Sequence, residues 1–144
     1  RAGSVPAFPL VEMCFSGQYT KAEIKKMLVG KGGAVAHLGT NDFREIVSKA
    51  EAGEKVYADF LKAFCISVAK YIGSMATVVG GKVDAIVLTG GIAYSKPISS
   101  AITEMVQFIA PVEVYPGENE LESLAENGYG ILAGEFDIKH YSDK

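Results

Sequence analysis

Hydrophobic positions recur at helical spacing through the middle of the chain and predict one long helix from about Glu54 to Val79. The apolar stripe of this helix consists of Val56, Phe60, Phe64, Val68, Tyr71, Ile72, Met75 and Val79. Lysine and aspartate side chains lie largely off the stripe, so one face is expected to pack on a core. Gly80 and Gly81 end the pattern.

Three shorter helices are predicted before the long one. They run over residues 6–15, from the capping-box pair Thr20 and Glu23 to Leu28, and from a cap at Asn41 or Asp42 to about Ala50. Glycines separate the second helix from the third. The run AVAHLG that follows those glycines leaves room for a short strand near residues 34–38.

The second half of the chain alternates strands with helices. The β-branched run DAIVLT, residues 84–89, predicts a fully buried strand, and Gly90-Gly91 follows it directly. Ser95 can cap the next helix, with Pro97 in its first turn, and the apolar pattern continues to Ile109.

A second strand, VEVYP at residues 112–116, leads through Gly117 into a last helix capped by Asn119. A strand–helix–strand crossover is right-handed and makes its two strands parallel. The sequence offers no other convincing strand, so the sheet is expected to be incomplete. The chain also opens on Arg1 with no helix cap or preceding strand, and both features favour a fragment of a larger α/β domain.

Composition narrows the classes of partner. The 144 residues suffice for one domain, and a net charge of −3 creates no field that would gather nucleic acid or an anionic membrane. The longest apolar stretches are interrupted by Lys or Glu before 18 residues, so no membrane span is predicted. Cys14 and Cys65 lie in apolar runs and are predicted to be buried thiols, which indicates a cytoplasmic protein.

The turn after the first strand is the first candidate site. In open α/β sheets, ligands bind beyond the carboxyl ends of the strands. Gly90 and Gly91 would let the backbone approach a flat or anionic ligand, and Ile92 follows them. The alternative is a tight turn that binds nothing.

The second candidate is the helix start at Asp42, Phe43 and Arg44. An acid can accept a hydrogen bond from a ribose hydroxyl, an arginine can bind phosphate, and an aromatic ring can stack on a base. The alternative is a helix cap flanked by surface charges. His37 is interpreted as a core or turn residue, because no partner for a relay is visible.

The third candidate is the acidic helix start that contains Glu118, Glu120 and Glu122. The helix dipole alone could account for carboxylates at this position. The alternative is that one of them reaches a magnesium ion, usually through water.

The order of these motifs resembles that of the acetate and butyrate kinase family, within the superfamily of acetate and sugar kinases, heat-shock ATPases and actin. The motifs are RxGS, GTNDFRE, VDAIVLTGGI and YPGxNE, and they cover essentially the whole chain. The stretches GSVPAFP and GIAYSK are more similar to butyrate kinases than to acetate kinases. The resemblance implies an actin-like (ribonuclease H-like) α/β fold, with residues 1–144 forming the C-terminal portion of the second kinase domain.

The resemblance also implies roles for individual residues. Arg1 matches the active-site arginine that neutralises charge in the transition state. Residues 42–44 match the stretch that lines the nucleotide site, and residues 90–92 match the adenosine motif. The pair Asn119-Glu120 matches the one whose glutamate helps to hold magnesium.

The implied reaction is reversible phosphoryl transfer between ATP and butyrate. The family's phosphate loops are not present in this sequence, so the chain alone is expected to be inactive, and its bare sheet edge favours a homo-oligomer. The alternatives are an acetate or propionate kinase, an ATPase of the heat-shock or actin type, and a non-catalytic oligomerisation module.

Overall fold

Seven helices and two strands make up the part of the chain that the computed structural model describes, residues 3–117 and 120–138. In chain order they are α1 (Ala7–Phe15), α2 (Lys21–Leu28), α3 (Ala34–Leu38), α4 (Phe43–Glu51), α5 (Lys55–Val78), β1 (Ile86–Gly90), a 3₁₀ turn (Gly91–Tyr94), α6 (Lys96–Val106), β2 (Val112–Pro116) and α7 (Glu120–Leu132).

Local signals account for the helix starts. The predicted capping box of α2 is present, since the Thr20 side chain accepts a hydrogen bond from the Glu23 amide and the Glu23 carboxylate accepts one from the Thr20 amide. Asp42 caps α4 by accepting from the amide of Arg44 at 2.9 Å. The predicted cap at Asn119 lies outside the described residues.

The short strand expected near residues 34–38 was a wrong prediction, because these residues form helix α3. Gly33 and Gly39 both have positive φ and enclose a single helical turn. The amide of His37 donates to the carbonyl of Gly33, and the amide of Gly39 donates to that of Val35. These bonds satisfy the backbone locally, so the segment needs no neighbouring strand.

The two strands are parallel, as predicted, in a register that pairs Ile86 with Val112 and Gly90 with Pro116. The prediction that β1 is fully buried was wrong. Ile86 is buried, whereas Val87 is 57% exposed. Side chains of a strand alternate between two faces, and among the described residues only the face with Ile86 is covered.

The core lies between this covered sheet face and helices α5 and α6, and α4 packs on α5 with Phe43 and Val47 against the same core. Its buried members are Cys65, Ile86, Ile98, Ile102, Val106 and Ala110. Ile46 of α4 is completely buried as well. Of the apolar stripe predicted for α5, Phe64, Val68 and Ile72 pack against this core. The expectation that the whole stripe packs was wrong, since Val56, Tyr71, Met75 and Val79 are each more than half exposed.

Two details of α6 differ from the sequence prediction. The helix ends at Val106, although apolar positions continue to Ile109, because residues 107–109 turn toward β2 and Ile109 packs against the core there. Ser95 precedes the helix, but its side chain makes no capping hydrogen bond. The Ser95 carbonyl instead accepts from the amide of Ser99 at 2.9 Å.

The prediction of two buried thiols was only half right. Cys65 is buried in the core, whereas Cys14 of α1 is exposed. No residue of α1 is buried within the described part of the chain, so an apolar run there did not translate into burial.

Helix α5 is long and apolar enough to cross a membrane by length and composition alone. A single helix of this kind is weak evidence for membrane insertion. Within the described residues the helix contacts α4 and α6.

Candidate functional site

A cleft of about 1030 Å³ lies between the start of α4 and the turn that follows β1. It is lined by Asn41, Asp42, Phe43, Arg44, Val47, Ser48, Glu51, Gly91, Ile92, Tyr94, Ser95, Lys96 and Pro97. Residues 42–44 of the first candidate segment therefore face a common cleft with Gly91 and Ile92 of the second, although more than forty residues separate them in the chain. Gly90, the remaining residue of the second segment, is not among the residues that line the cleft.

The turn at the end of β1 exposes backbone to this cleft. Gly90 has a φ of 83°, in the region that favours glycine. Gly91 has ordinary φ, and a Cβ placed there would meet no atom within 4 Å. Neither backbone strain nor crowding within the protein requires glycine at position 91, so the open space in front of it is available to a ligand.

The ends of the two strands are hydrogen-bonded to each other at this edge of the sheet. The amides and carbonyls of Gly90 and Gly117 exchange two hydrogen bonds of 3.2 Å. The Thr89 hydroxyl also donates to the Gly117 carbonyl at 3.3 Å. The loop toward α7 thus begins beside the cleft.

Asp42 and Arg44 form an ion pair at the mouth of the cleft. Nε and Nη2 of Arg44 donate to the two Asp42 oxygens at 3.0 and 2.8 Å. This guanidinium contact, with the hydrogen bond from the Arg44 amide, lowers the pKa of Asp42 to about 2. The Arg44 side chain is 92% exposed, so its remaining donors face solvent.

Phe43 points toward the interior between these two charges. Its ring centroid lies 4.8 Å from that of Phe64 and 6.5 Å from that of Phe60. The ring thus already has aromatic neighbours within the protein. Stacking of Phe43 on a base stays a prediction, and its packing on α5 fixes how α4 presents Asp42 and Arg44.

A second contact locks the orientation of α4 one turn further along. Lys49 Nζ lies 2.8 Å from a Glu45 carboxylate oxygen, donates to the Tyr57 hydroxyl at 3.0 Å and lies 4.8 Å from the centroid of the Tyr57 ring. The hydrogen bond to Glu45 and then that to Tyr57 raise the pKa of Lys49. Because Tyr57 belongs to α5 and is buried, these contacts tie α4 to the central helix.

Sequence reasoning missed several residues that line the cleft. Tyr94, Ser95 and Lys96 directly follow the glycine turn, and that adjacency was the available signal. The Oγ atom of Ser95 is buried without a hydrogen-bond partner among the described residues. Lys96 adds a cation to the wall opposite Glu51 of α4.

Two of the predicted functional residues are not part of the described cleft. Arg1, like Asn119 and Glu118, lies outside the described residues. Glu120 is exposed at the start of α7, three residues after Gly117, and is not among the residues that line the cleft. His37 lies near Phe60, with 5.9 Å between ring centroids, on the other side of the α4 start.

The described residues show no cluster of three or more His, Cys, Asp or Glu that could hold a metal ion. Glu120 provides the carboxylate oxygen that magnesium prefers, and the ion commonly keeps several waters and uses one or two protein carboxylates. The residue type therefore fits magnesium. Glu120 follows Gly117 by three residues, which span at most about 11 Å, so Glu120 lies within that distance of the strand end beside the cleft.

The arrangement of the helices around the two parallel strands is similar to that in two solved structures. An acetate kinase from Porphyromonas gingivalis superposes with a TM-score of 0.78 and 21% identity, over 92% of this chain and 39% of that one. A propionate kinase from Francisella tularensis superposes with a TM-score of 0.73 and 22% identity, over 84% of this chain and 37% of that one. At these identities the likeness shows the fold, and it confirms the predicted actin-like α/β class with an incomplete sheet.

The sequence defines the family more closely. Residues 1–128 match the acetokinase family, and the chain belongs to it. Probable butyrate kinase 2 from Caldanaerobacter subterraneus subsp. tengcongensis and butyrate kinase 1 from Clostridium acetobutylicum are each 50% identical to it over 141 residues. Those matches cover 98% of this chain and 40% of each relative, so the chain spans about two fifths of their length.

Proposed function

We propose that this chain forms part of a butyrate kinase that transfers phosphate between ATP and butyrate. The observation that carries the proposal is the cleft shared by the Gly91 turn and the start of α4. Family membership and 50% identity to curated butyrate kinases support the choice of reaction.

In this proposal the cleft binds the nucleoside end of ATP. The backbone at Gly91 and Ile92 packs against the purine and ribose, where a larger side chain at position 91 would intrude. Asp42 has about four acceptor positions, and the Arg44 side chain and amide use three of them, which leaves one for a ribose hydroxyl. Arg44 lines the cleft and its remaining donors are exposed to solvent, so they can bind a phosphate oxygen.

The chemical step is a direct in-line displacement. A carboxylate oxygen of butyrate forms a bond to the γ-phosphorus while the bond from that phosphorus to the bridging oxygen of ADP breaks, and butanoyl phosphate and ADP leave. A loose transition state of this kind asks for positioning and charge neutralisation rather than a protein nucleophile. Arg1 would supply positive charge, and magnesium, when bound, would neutralise phosphate oxygens. Glu120 would hold that ion, directly or through water.

The experiment compares two polypeptides, the 144-residue chain and the longer protein that carries it. Trapping of butanoyl phosphate with hydroxylamine measures turnover with ATP, magnesium and butyrate. We expect turnover by the longer protein and none by the 144-residue chain, because the family resemblance places the phosphate-binding loops outside these residues. Butyrate-independent ATP hydrolysis by the longer protein would contradict the proposed reaction. Full turnover by the 144-residue chain would contradict the expectation that this chain alone is inactive.

An acetate or propionate kinase is the second candidate, because the solved structures with the same fold carry those names. The comparison that separates the candidates is kcat/KM for acetate, propionate and butyrate under identical conditions. Butyrate is expected to give the highest value. A cytoplasmic location and a homo-oligomer also belong to this proposal, and light scattering of the longer protein tests the second.

A further inference from the structure

A second cavity, of about 320 Å³, lies beside the candidate nucleotide cleft, where α4, α5 and α6 meet. We call it the side pocket. Val47 and Glu51 of α4 and Pro97 of α6 line both the side pocket and the cleft. Helices α4 and α6 both pack on α5, and within the described residues neither packs closely against the other. The border residues therefore belong to two facing helices with a gap between them, through which the cleft continues into the side pocket.

The interior of the side pocket is apolar. Cys65 and Ile98 are its buried residues, and burial raises the pKa of the Cys65 thiol, which keeps that group uncharged. Alanine, leucine and methionine side chains complete the apolar lining. The charged lining residues, Glu51 and Lys62, are exposed, so their charges belong to the rim. An apolar protein cavity of about 150 Å³ can hold benzene, so the side pocket has room for a phenyl or small alkyl group.

Position along α4 indicates which part of a nucleotide would lie at the border. In the proposed function, Asp42 and Arg44 bind the ribose and a phosphate at the start of this helix. Glu51 follows Arg44 by seven residues, which is about 10 Å along the helix axis. The base is the part of a nucleotide farthest from its phosphates, so it would point toward Glu51. On adenine, the amino group N6 belongs to the ring edge farthest from the ribose, whereas C8 lies beside the ribose.

We propose that the side pocket is a subsite for an apolar group carried on N6 of the adenine base. The inference rests on the proposed function, since it requires the nucleotide to bind with its ribose at Asp42. An alkyl or benzyl group on N6 would pass between Val47 and Pro97 and exchange water for apolar surface. A singly substituted amine keeps one N–H, which can donate to the Glu51 carboxylate. The protein should therefore bind N6-substituted adenine nucleotides as well as unsubstituted ones.

The test is calorimetric titration of the longer protein with ADP and with N6-benzyl-ADP. We expect N6-benzyl-ADP to bind about 10-fold more tightly, which is the lower end of what burial of a phenylalanine-sized group provides, because the side pocket is open on one side. A nucleotide that carries the benzyl group at C8 should gain less than about 2-fold, since its substituent lies beside the ribose. N6-benzyl-ADP that binds no more tightly than ADP would overturn the proposal.

Two variants test whether the gain comes from the side pocket. Ala58→Leu and Ala101→Leu fill it from α5 and from α6, and neither residue lines the cleft. Each should reduce the gain from the benzyl group to less than about 2-fold, with ADP affinity and melting temperature unchanged. Ala63→Leu is the matched control, because Ala63 is exposed on α5 but lines a different pocket.

The remaining outcomes separate this inference from the proposed function. A gain that survives both Ala58→Leu and Ala101→Leu would overturn the side pocket as its source. If the longer protein binds ADP but gains nothing from the benzyl group, the subsite alone fails. If it binds neither nucleotide, the proposed function fails, and the subsite fails with it.

Discussion

The central part of the molecule, residues 34–116, differs sharply in packing from the helices that flank it. The centre contains Ile46 and the buried cluster on α5, α6 and β1. In α1 no residue is buried, and Phe8 and Phe15 are each 86% exposed. In α7 only a glycine is buried among the described residues.

This difference separates the proposed binding residues from the proposed catalytic ones. The candidate nucleotide residues 42–44 and 90–92 belong to the packed centre, which fixes their geometry from within. Arg1 and Glu120 are attached to the loosely packed flanks. In the proposed arrangement, the residues that bind the nucleoside belong to the packed centre, whereas Arg1 and Glu120 belong to the flanks in sequence.

The largest expected effect concerns Arg1. Arg1→Ala in the longer protein should lower kcat about 1000-fold, because a cation that neutralises phosphoryl charge is lost. Affinity for a non-hydrolysable ATP analogue, measured by calorimetry, should change less than about 3-fold. Arg44→Gln is the contrasting variant, since it should weaken binding more than it slows the reaction. If both arginine changes weaken nucleotide binding equally, the assignment of binding residues to the packed centre and of catalytic residues to the flanks is wrong.

The difference in packing can be measured directly. Ile46→Ala removes a completely buried side chain and should lower the free energy of unfolding by about 2–5 kcal/mol. Leu124→Ala in α7 should cost less than about 0.5 kcal/mol, since Leu124 is 69% exposed. Urea denaturation of both variants provides the comparison. A large loss for Leu124→Ala would show that α7 is packed in the longer protein.

The glycine turn offers a sharper test of the cleft. Gly91→Val should weaken ATP-analogue binding about 10-fold with no change in melting temperature, because the position has ordinary φ and open space. Gly90→Ala should instead lower stability, since Gly90 has a φ of 83°. Normal nucleotide affinity in Gly91→Val would mean that the turn serves only the fold.

The smallest effect concerns the ion pair of Asp42 and Arg44. A carboxyl with a lowered pKa contributes stability above its unfolded value near 4, and that contribution is lost as pH falls through its folded value. For Asp42 the loss should occur between about pH 4 and about pH 2. Carbon-detected NMR titration of Asp42 measures this directly. Arg44→Gln should raise the pKa toward the usual range, and an unchanged value would assign the shift to the helix start alone.

Elements with local signals were predictable from sequence. The capping pair Thr20–Glu23 and the cap at Asp42 depend on neighbouring residues only, so α2 and α4 were correctly placed. The helical spacing of apolar residues in α5 and the β-branched run of β1 can likewise be read directly from the sequence.

Features that depend on distant partners were not predictable. The burial of β1 depends on how many elements cover each face of the sheet, which a single strand cannot show. The contact of Phe43 with Phe64 depends on the packing of α4 on α5. Ser95 has a residue type suited to capping, but the geometry of the 3₁₀ turn leaves its hydroxyl without a partner.

The reciprocal hydrogen bonds between Gly90 and Gly117 connect the turn that follows β1 to the turn that follows β2. A nucleotide resting on the first turn would also restrain the second, and with it the approach to Glu120. In the proposed arrangement, binding of the nucleotide and binding of its magnesium ion are then coupled. The amide of Gly117, which contacts neither ligand in the proposed arrangement, should exchange its hydrogen more slowly once the cleft is filled.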